Sequence, residues 1–243
     1  MAIHQNDRYS LLLTNFRQLP SKKQLFNLSS LIDDFKLLLE QYSAINARYL
    51  EIAKLKAPEF NVFNLLGVTR DEVRTHSSLL GELLNPKGTH GQGCLFVKSF
   101  FDKCLEKEPE NIAIQQITKN QMWEGCSVST EFYSPYGRMD IAIRNPAIGF
   151  FCVVENKIDA VEQSTQLKRY KHYMESVEQN YPLHSLVFLT KKGSYATSAS
   201  PTEYIRLSYQ KDITMWLYNV LPLVEATSVK EVVLQYIDIV RNL

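Results

Sequence analysis

Hydrophobic spacing divides the chain into a helical beginning and a mixed remainder. Leu28, Leu31, Phe35, Leu38, Tyr42, Ile45, Tyr49 and Ile52 recur at spacings of three and four. This predicts one long amphipathic helix over residues 21–56, ended by Pro58, with a shorter helix before it over residues 11–16. The long stripe either packs on the chain's own sheet or forms a seam for a second copy or a partner helix. Another helix is expected from Arg70 to just before Pro86, with Thr69 and Glu72 as its capping box and Leu79, Leu80, Leu83 and Leu84 as its buried stripe. A turn over residues 89–93 leads into a helix through Phe96, Phe100 and Leu105.

Alternation or short apolar runs predict strands at residues 127–133, 138–144, 150–158, 185–190 and 204–209, and a weaker strand signal covers 111–117. Helices are predicted over 160–178, 212–221 and 228–240. Three strands in a meander, a helix and a crossover strand argue for an α/β fold with a mixed sheet between helices. The expected division is a helical extension over 1–57, for packing or oligomerisation, and one domain over 58–243.

Polar residues break two of these strands. Asp140 interrupts RMDIAIR, while Glu155 and Lys157 interrupt FFCVVENKI. Strand residues alternate between faces, so Glu155 and Lys157 share a side with Phe151 and Val153, and Asn156 points the other way. A turn centred near Ala147 and Ile148 sets Asp140 opposite Glu155. Half-buried charges cost several kcal/mol unless they are paired or bind a metal. The three side chains are therefore a structural ion cluster or a site for Mg²⁺ or Mn²⁺, which favours oxygen ligands and leaves room for a phosphate. A lysine there can orient the attacking water or offset transition-state charge, a combination that suits phosphodiester hydrolysis.

Net charge narrows the picture only slightly. With 27 basic and 26 acidic residues the chain carries +1, so contact with nucleic acid needs a local patch. Four cysteines without paired spacing, no signal-peptide pattern and no membrane-length apolar run make a reducing cytoplasm the expected compartment.

The acid in one strand and Glu-x-Lys in the next resemble the PD-(D/E)XK nuclease superfamily, with Asp140 preceded by Met139 rather than proline. The run Gln166-Leu167-Lys168-Arg169-Tyr170 looks like the Q-x-x-x-Y element that follows the motif in several branches. Upstream, Glu72, His76-Ser77, Leu83-Leu84-Asn85-Pro86 and His90-Gly91 resemble the opening of one bacterial branch, so the resemblance spans about residues 61–221. It implies a restriction-endonuclease-like core and a nuclease dependent on Mg²⁺ or Mn²⁺, with DNA favoured over RNA and bacterial defence as a setting. The alternatives are an interaction or assembly protein derived from a nuclease, with weak or partner-dependent activity, and a nuclease that acts on RNA.

By the same resemblance, Asp140 and Glu155 would hold the metal with the Asn156 carbonyl, and Lys157 would be the catalytic lysine. Glu72 would be the acid from the first core helix, although it could simply cap that helix; Glu82 is a second candidate. Gln166 would sit near the metal or phosphate and Tyr170 would support the site. His76 and Ser77 match without an assigned role, and His76 could equally be a hydrogen-bonded structural histidine. Strand parity puts Arg138 and Arg144 on the face of Asp140. Together with Gln163, Lys168 and Arg169 they are candidates for substrate contact.

Overall fold

Five strands form one sheet in the order β1-β2-β3-β4-β5. They are β1 (Ser127–Ser134), β2 (Gly137–Asn145), β3 (Phe150–Lys157), β4 (Leu183–Thr190) and β5 (Ile205–Ser208). The computed structural model describes residues 22–243, and the helix predicted over residues 11–16 lies outside them. β1, β2 and β3 pair antiparallel, while β4 and β5 run parallel to β3. The mixed α/β sheet of the sequence reading is therefore present.

Helices cover both faces. One face packs on α4 (Leu95–Lys107), α5 (Ile112–Asn120), α7 (Thr214–Val220) and α8 (Thr227–Arg241), through Phe96, Phe100, Ile114, Trp216, Tyr236 and their neighbours. The other packs on α6 (Gln166–Ser176), where Leu167, Tyr170 and Met174 meet Ala142, Phe151, Val153 and Phe188. This is why β3 carries an almost unbroken apolar run: its residues up to Asn156 are buried, as expected for a central strand covered twice.

Turn chemistry sets the meander. Gly137 closes the first hairpin at φ +130°, and a Cβ there would approach the Arg169 guanidinium at 3.3 Å. Asn145 accepts a hydrogen bond from the Ala147 N–H in the second turn. Ile141 then lies opposite Val154, and Ala142 opposite Val153, in the predicted register.

Four expectations need correction. Residues 111–117 are helical, because the Asn111 side chain caps the Ile114 N–H at 3.0 Å while Ala113, Ile114 and Ile117 share a buried face. The helix expected from Ala160 starts only at Gln166, after Thr165 at φ +59°. Asp71, not Thr69, caps the segment that starts at Glu72; it runs as a wide π-turn, Glu72–Ser77, into α3 (Ser78–Leu84). The helix expected from Asp212 begins at Tyr209 as another π-turn, capped by Ser208.

The chain divides into two compact units, Met1–Phe60 and Asn61–Leu243. The described part of the first contains α1 (Lys22–Lys56), on which Leu31, Phe35, Leu38, Tyr42, Ile45, Tyr49 and Ile52 are all exposed. The second opens with the single turn α2 (Val62–Leu65) and contains the sheet. Among the described residues no helix is long and apolar enough to cross a membrane. Cys104, Cys126 and Cys152 are buried free thiols and Cys94 is a half-buried one.

Candidate active site

The ladder between β2 and β3 ends at Ile141 and Val154. One residue further, the Asp140 carboxylate takes over the missing rung and accepts the Asn156 N–H at 2.8 Å. The strands part here, and the polar residues of the two predicted strands meet in the opening. Lys157 Nζ lies 2.6 Å from Glu155 Oε1, both side chains being largely withdrawn from solvent. Gln166 Nε2 donates to the same Glu155 oxygen at 2.6 Å and to the Tyr170 hydroxyl at 2.9 Å. Gln166 and Tyr170 reach one point because residues four apart share a helix face. The Tyr170 hydroxyl in turn donates to the Arg138 carbonyl, tying α6 to β2.

Glu155 Oε2 is buried and has no hydrogen-bond partner. Desolvation, with Asp140 adding repulsion, pushes the Glu155 carboxyl up to about 8. Burial likewise raises Asp140 to about 6, against the Asn156 N–H and Lys157. Desolvation pulls the Lys157 ammonium down, but its pairing with Glu155 outweighs this and the net shift is upward. One ammonium cannot neutralise two buried carboxylates, so the pair retains a proton near neutral pH unless another cation arrives. The donors are hard oxygens and one is orphaned, which fits a divalent ion such as Mg²⁺. Among the described residues no three His, Cys, Asp or Glu side chains group closely enough to enclose an ion themselves. Two carboxylates, a main-chain oxygen and waters are the set available, and Mg²⁺ commonly keeps several waters.

Glu72 is used differently from a helix cap. Its Oε1 accepts the N–H groups of Ile158, Asp159 and Ala160 at 2.6, 3.0 and 3.0 Å. It fixes the turn that follows Lys157, which is also why the next helix starts late. Glu82 binds the Thr89 backbone and hydroxyl in the loop after α3 and is not drawn into the site.

His76 and Ser77 are fully buried. His76 bonds the Tyr236 hydroxyl at 2.9 Å and the Thr69 carbonyl at 3.0 Å, and burial lowers its pKa. Ser77 accepts a hydrogen bond from the Asn156 amide at 2.6 Å, so it supports β3 from behind. Neither presents a surface to a substrate. Arg144 also lies away from the site: it pairs with Phe151 across the hairpin and its guanidinium stands 4.8 Å from the Phe132 ring centroid. Four strand residues separate it from Asp140, about 13 Å.

Arg138 and Arg169 stay nearer, beside Tyr170 and Gln163. Arg138 pairs with Glu131 at 2.8 Å. Arg169 donates to the Tyr136 carbonyl at 3.0 Å and to Gln163 Oε1 at 2.9 Å, while Lys168 is exposed on the first turn of α6. Two features were not singled out from the sequence. Glu131, beside Asp140 on β1, has φ +53° and adds to the upward push on Asp140. Asp159 binds Arg70 Nε at 2.6 Å and Lys191 Nζ at 2.9 Å. The left-handed backbone of Glu131 and the distant partners of Asp159 have no local sequence signal.

A sequence model of the PD-(D/E)XK nuclease superfamily matches residues 60–238. The chain belongs to the PD-(D/E)XK nuclease superfamily. Comparisons with curated proteins and with solved structures gave no match. Within this superfamily the chemistry is hydrolysis of phosphodiester bonds in nucleic acid, generally with divalent metal ions. The five-stranded mixed sheet flanked by helices is the corresponding restriction-endonuclease-like fold.

Proposed function

We propose that the chain is a Mg²⁺-dependent nuclease that cuts DNA, with the second compact unit as its catalytic domain. The observation that carries this reading is the orphaned Glu155 oxygen beside Asp140 and Lys157, a buried cluster short of positive charge. Asp140, Glu155 and the Asn156 carbonyl would hold the ion. A bound ion would polarise a phosphoryl oxygen and lower the pKa of a coordinated water. The chain's own groups do the rest. Lys157 holds the attacking water and offsets charge on the phosphoryl oxygens. Gln166 keeps Glu155 facing the opening, and Tyr170 fixes Gln166. Arg138, Lys168, Arg169 and Gln163 supply contacts for the phosphate backbone. Water adds to phosphorus, one ester bond breaks, and the departing oxygen takes a proton, leaving a phosphomonoester and a hydroxyl.

Cytoplasmic degradation of foreign DNA in bacterial defence is the setting we favour, by analogy at the level of fold. A second reading, a nuclease-derived assembly protein, is favoured by one observation, the exposed heptad stripe on α1.

The test is to incubate purified protein with linear DNA, circular DNA and RNA in Mg²⁺, Mn²⁺ or EDTA. Cleavage of DNA by wild type in Mg²⁺, lost in EDTA and reduced at least roughly 100-fold in Asp140→Ala and Lys157→Ala, is expected. Inactivity in every metal would overturn the enzyme reading, and faster cleavage of RNA would overturn the choice of DNA. Cleavage that survives both substitutions would remove the assigned site.

A further inference from the structure

Next to Lys157 a cleft of about 450 Å³ opens, walled by the loop after β4, including Lys191, Lys192 and Tyr195, and by the turn after β3. Its size is that of a small-molecule or nucleotide pocket. The loop is held from several sides. Ser194 N–H donates to Thr190 Oγ1 at 2.6 Å, and Gln210 N–H to the Lys191 carbonyl at 3.1 Å. Gly193 turns the chain at φ +74°, where a Cβ would press on Ser208 at 3.2 Å.

Arg206, projecting from β5, does two things at once. Its Nη1 donates to the Gly193 carbonyl at 2.8 Å, and its guanidinium stands 4.0 Å from the Tyr195 ring centroid. One face of the ring is thus occupied by a cation, yet Tyr195 remains 60% exposed. An exposed aromatic ring on a fixed loop, backed by a guanidinium, is a stacking surface. The charges around it have matching preferences. Lys192 is exposed and has no ion-pair partner among the described residues, while Lys191 is paired with Asp159. The Glu162 carboxylate in the wall has both oxygens bound by Thr197 and Ser198.

We infer that this cleft receives an unpaired nucleotide of the strand being cut, its base stacked on Tyr195 and its phosphate near Lys192. The inference rests on the nuclease reading and extends it to a substrate form. Inside an intact duplex each base is stacked between neighbours and cannot offer its face to a ring. A single strand or a frayed end can, and stacking of this kind tolerates any base. Single strands and open ends are therefore the preferred substrates, with Tyr195 and Arg206 as the residues that set the preference.

The test measures binding by fluorescence anisotropy in EDTA, so that strands stay intact. One labelled DNA oligonucleotide is presented as a single strand, as a blunt duplex, and as single strands with an abasic site stepped along them. Wild type is expected to bind the single strand more tightly than the duplex. Tyr195→Ala should weaken single-strand binding by roughly 5- to 150-fold and leave the duplex unchanged; Tyr195→Phe and Tyr195→Trp should keep the preference. One abasic position should weaken wild type by a similar factor and have no further effect in Tyr195→Ala. Equal binding of the single strand by wild type and Tyr195→Ala would overturn the inference, as would equal loss on both DNA forms. If those outcomes came with Mg²⁺-dependent cleavage by both proteins, the nuclease reading would stand without the platform. Wild type that neither binds nor cleaves any of these DNAs would overturn both.

Discussion

Glu155 is fully buried, with two donors on one carboxylate oxygen and none on the other. A metal ion bound there would compete with a proton for one place. In unfolded chain Asp140 and Glu155 titrate near 4, but in the folded protein they rise to about 6 and about 8. Between those limits the folded form holds more protons, so the metal-free protein should lose stability as pH rises from about 4 to 8. Mg²⁺ bound by the ionised pair, as proposed, would offset this loss. The Mg²⁺-induced rise in Tm is expected to be larger at pH 8 than at pH 5, and absent in Asp140→Asn. Equal Mg²⁺ shifts at both pH values would argue against the carboxylate pair as the metal site. Gln166 gives a second residue-scale prediction. Gln166→Ala removes one of the two donors on the Glu155 oxygen and breaks the link to Tyr170, and if Glu155 holds the ion it should lower Mg²⁺ affinity or cleavage roughly 10- to 100-fold. A Mg²⁺ titration of the cleavage rate reads it.

Among the elements, the turn after β3 is the one most dependent on a distant residue. Three successive N–H groups, from Ile158 to Ala160, converge on a single Glu72 oxygen. Removing that acceptor leaves donors to find water and loosens the segment behind Lys157. Glu72→Ala should destabilise the protein by about 1–3 kcal/mol, whereas Glu72→Gln, which keeps an acceptor oxygen, should recover part of this. Urea denaturation of the two variants separates them, and equal midpoints with wild type would show that Glu72 does not anchor the turn. The same contact explains the late start of α6. Residues 160–165 have helix-compatible composition, but their first N–H is committed to Glu72 and Thr165 adopts a left-handed backbone.

For the molecule as a whole, the two units raise a question of assembly. α1 spans 35 residues and exposes Leu31, Leu38, Ile45 and Ile52 alternating with Phe35, Tyr42 and Tyr49. A strict three–four repeat over this length matches the seam of a coiled coil. Additional exposed apolar residues, Ile32 and Leu39, widen the stripe beyond a narrow seam. We propose that copies of the chain associate through α1. Light scattering of the full chain should give a multiple of the 28.1 kDa monomer mass, and deletion of residues 1–56 should return a monomer. A monomeric full chain would remove this proposal and leave the catalytic one untouched.

Periodicity and punctuation in the sequence determined the strands, the hairpin register and the approach of Asp140 to Glu155, because each depends on residues close in the chain. Asn-Pro and Gly in the turn set which residues face one another, and an acid or lysine inside an apolar strand is conspicuous wherever the strand lies. The family resemblance was legible for the same reason, since its core motif and the following Gln-x-x-x-Tyr occupy one continuous stretch. The tertiary structure alone decided which nearby candidates reach the opening. His76 and Ser77 match in sequence, yet they are buried behind it; Arg144 has the right parity and lies at the wrong end of its strand. Glu72 meets residues more than eighty positions away, and Tyr195 gains its guanidinium from the next strand. Such pairings follow from how helices and loops close over the sheet, which local spacing does not encode.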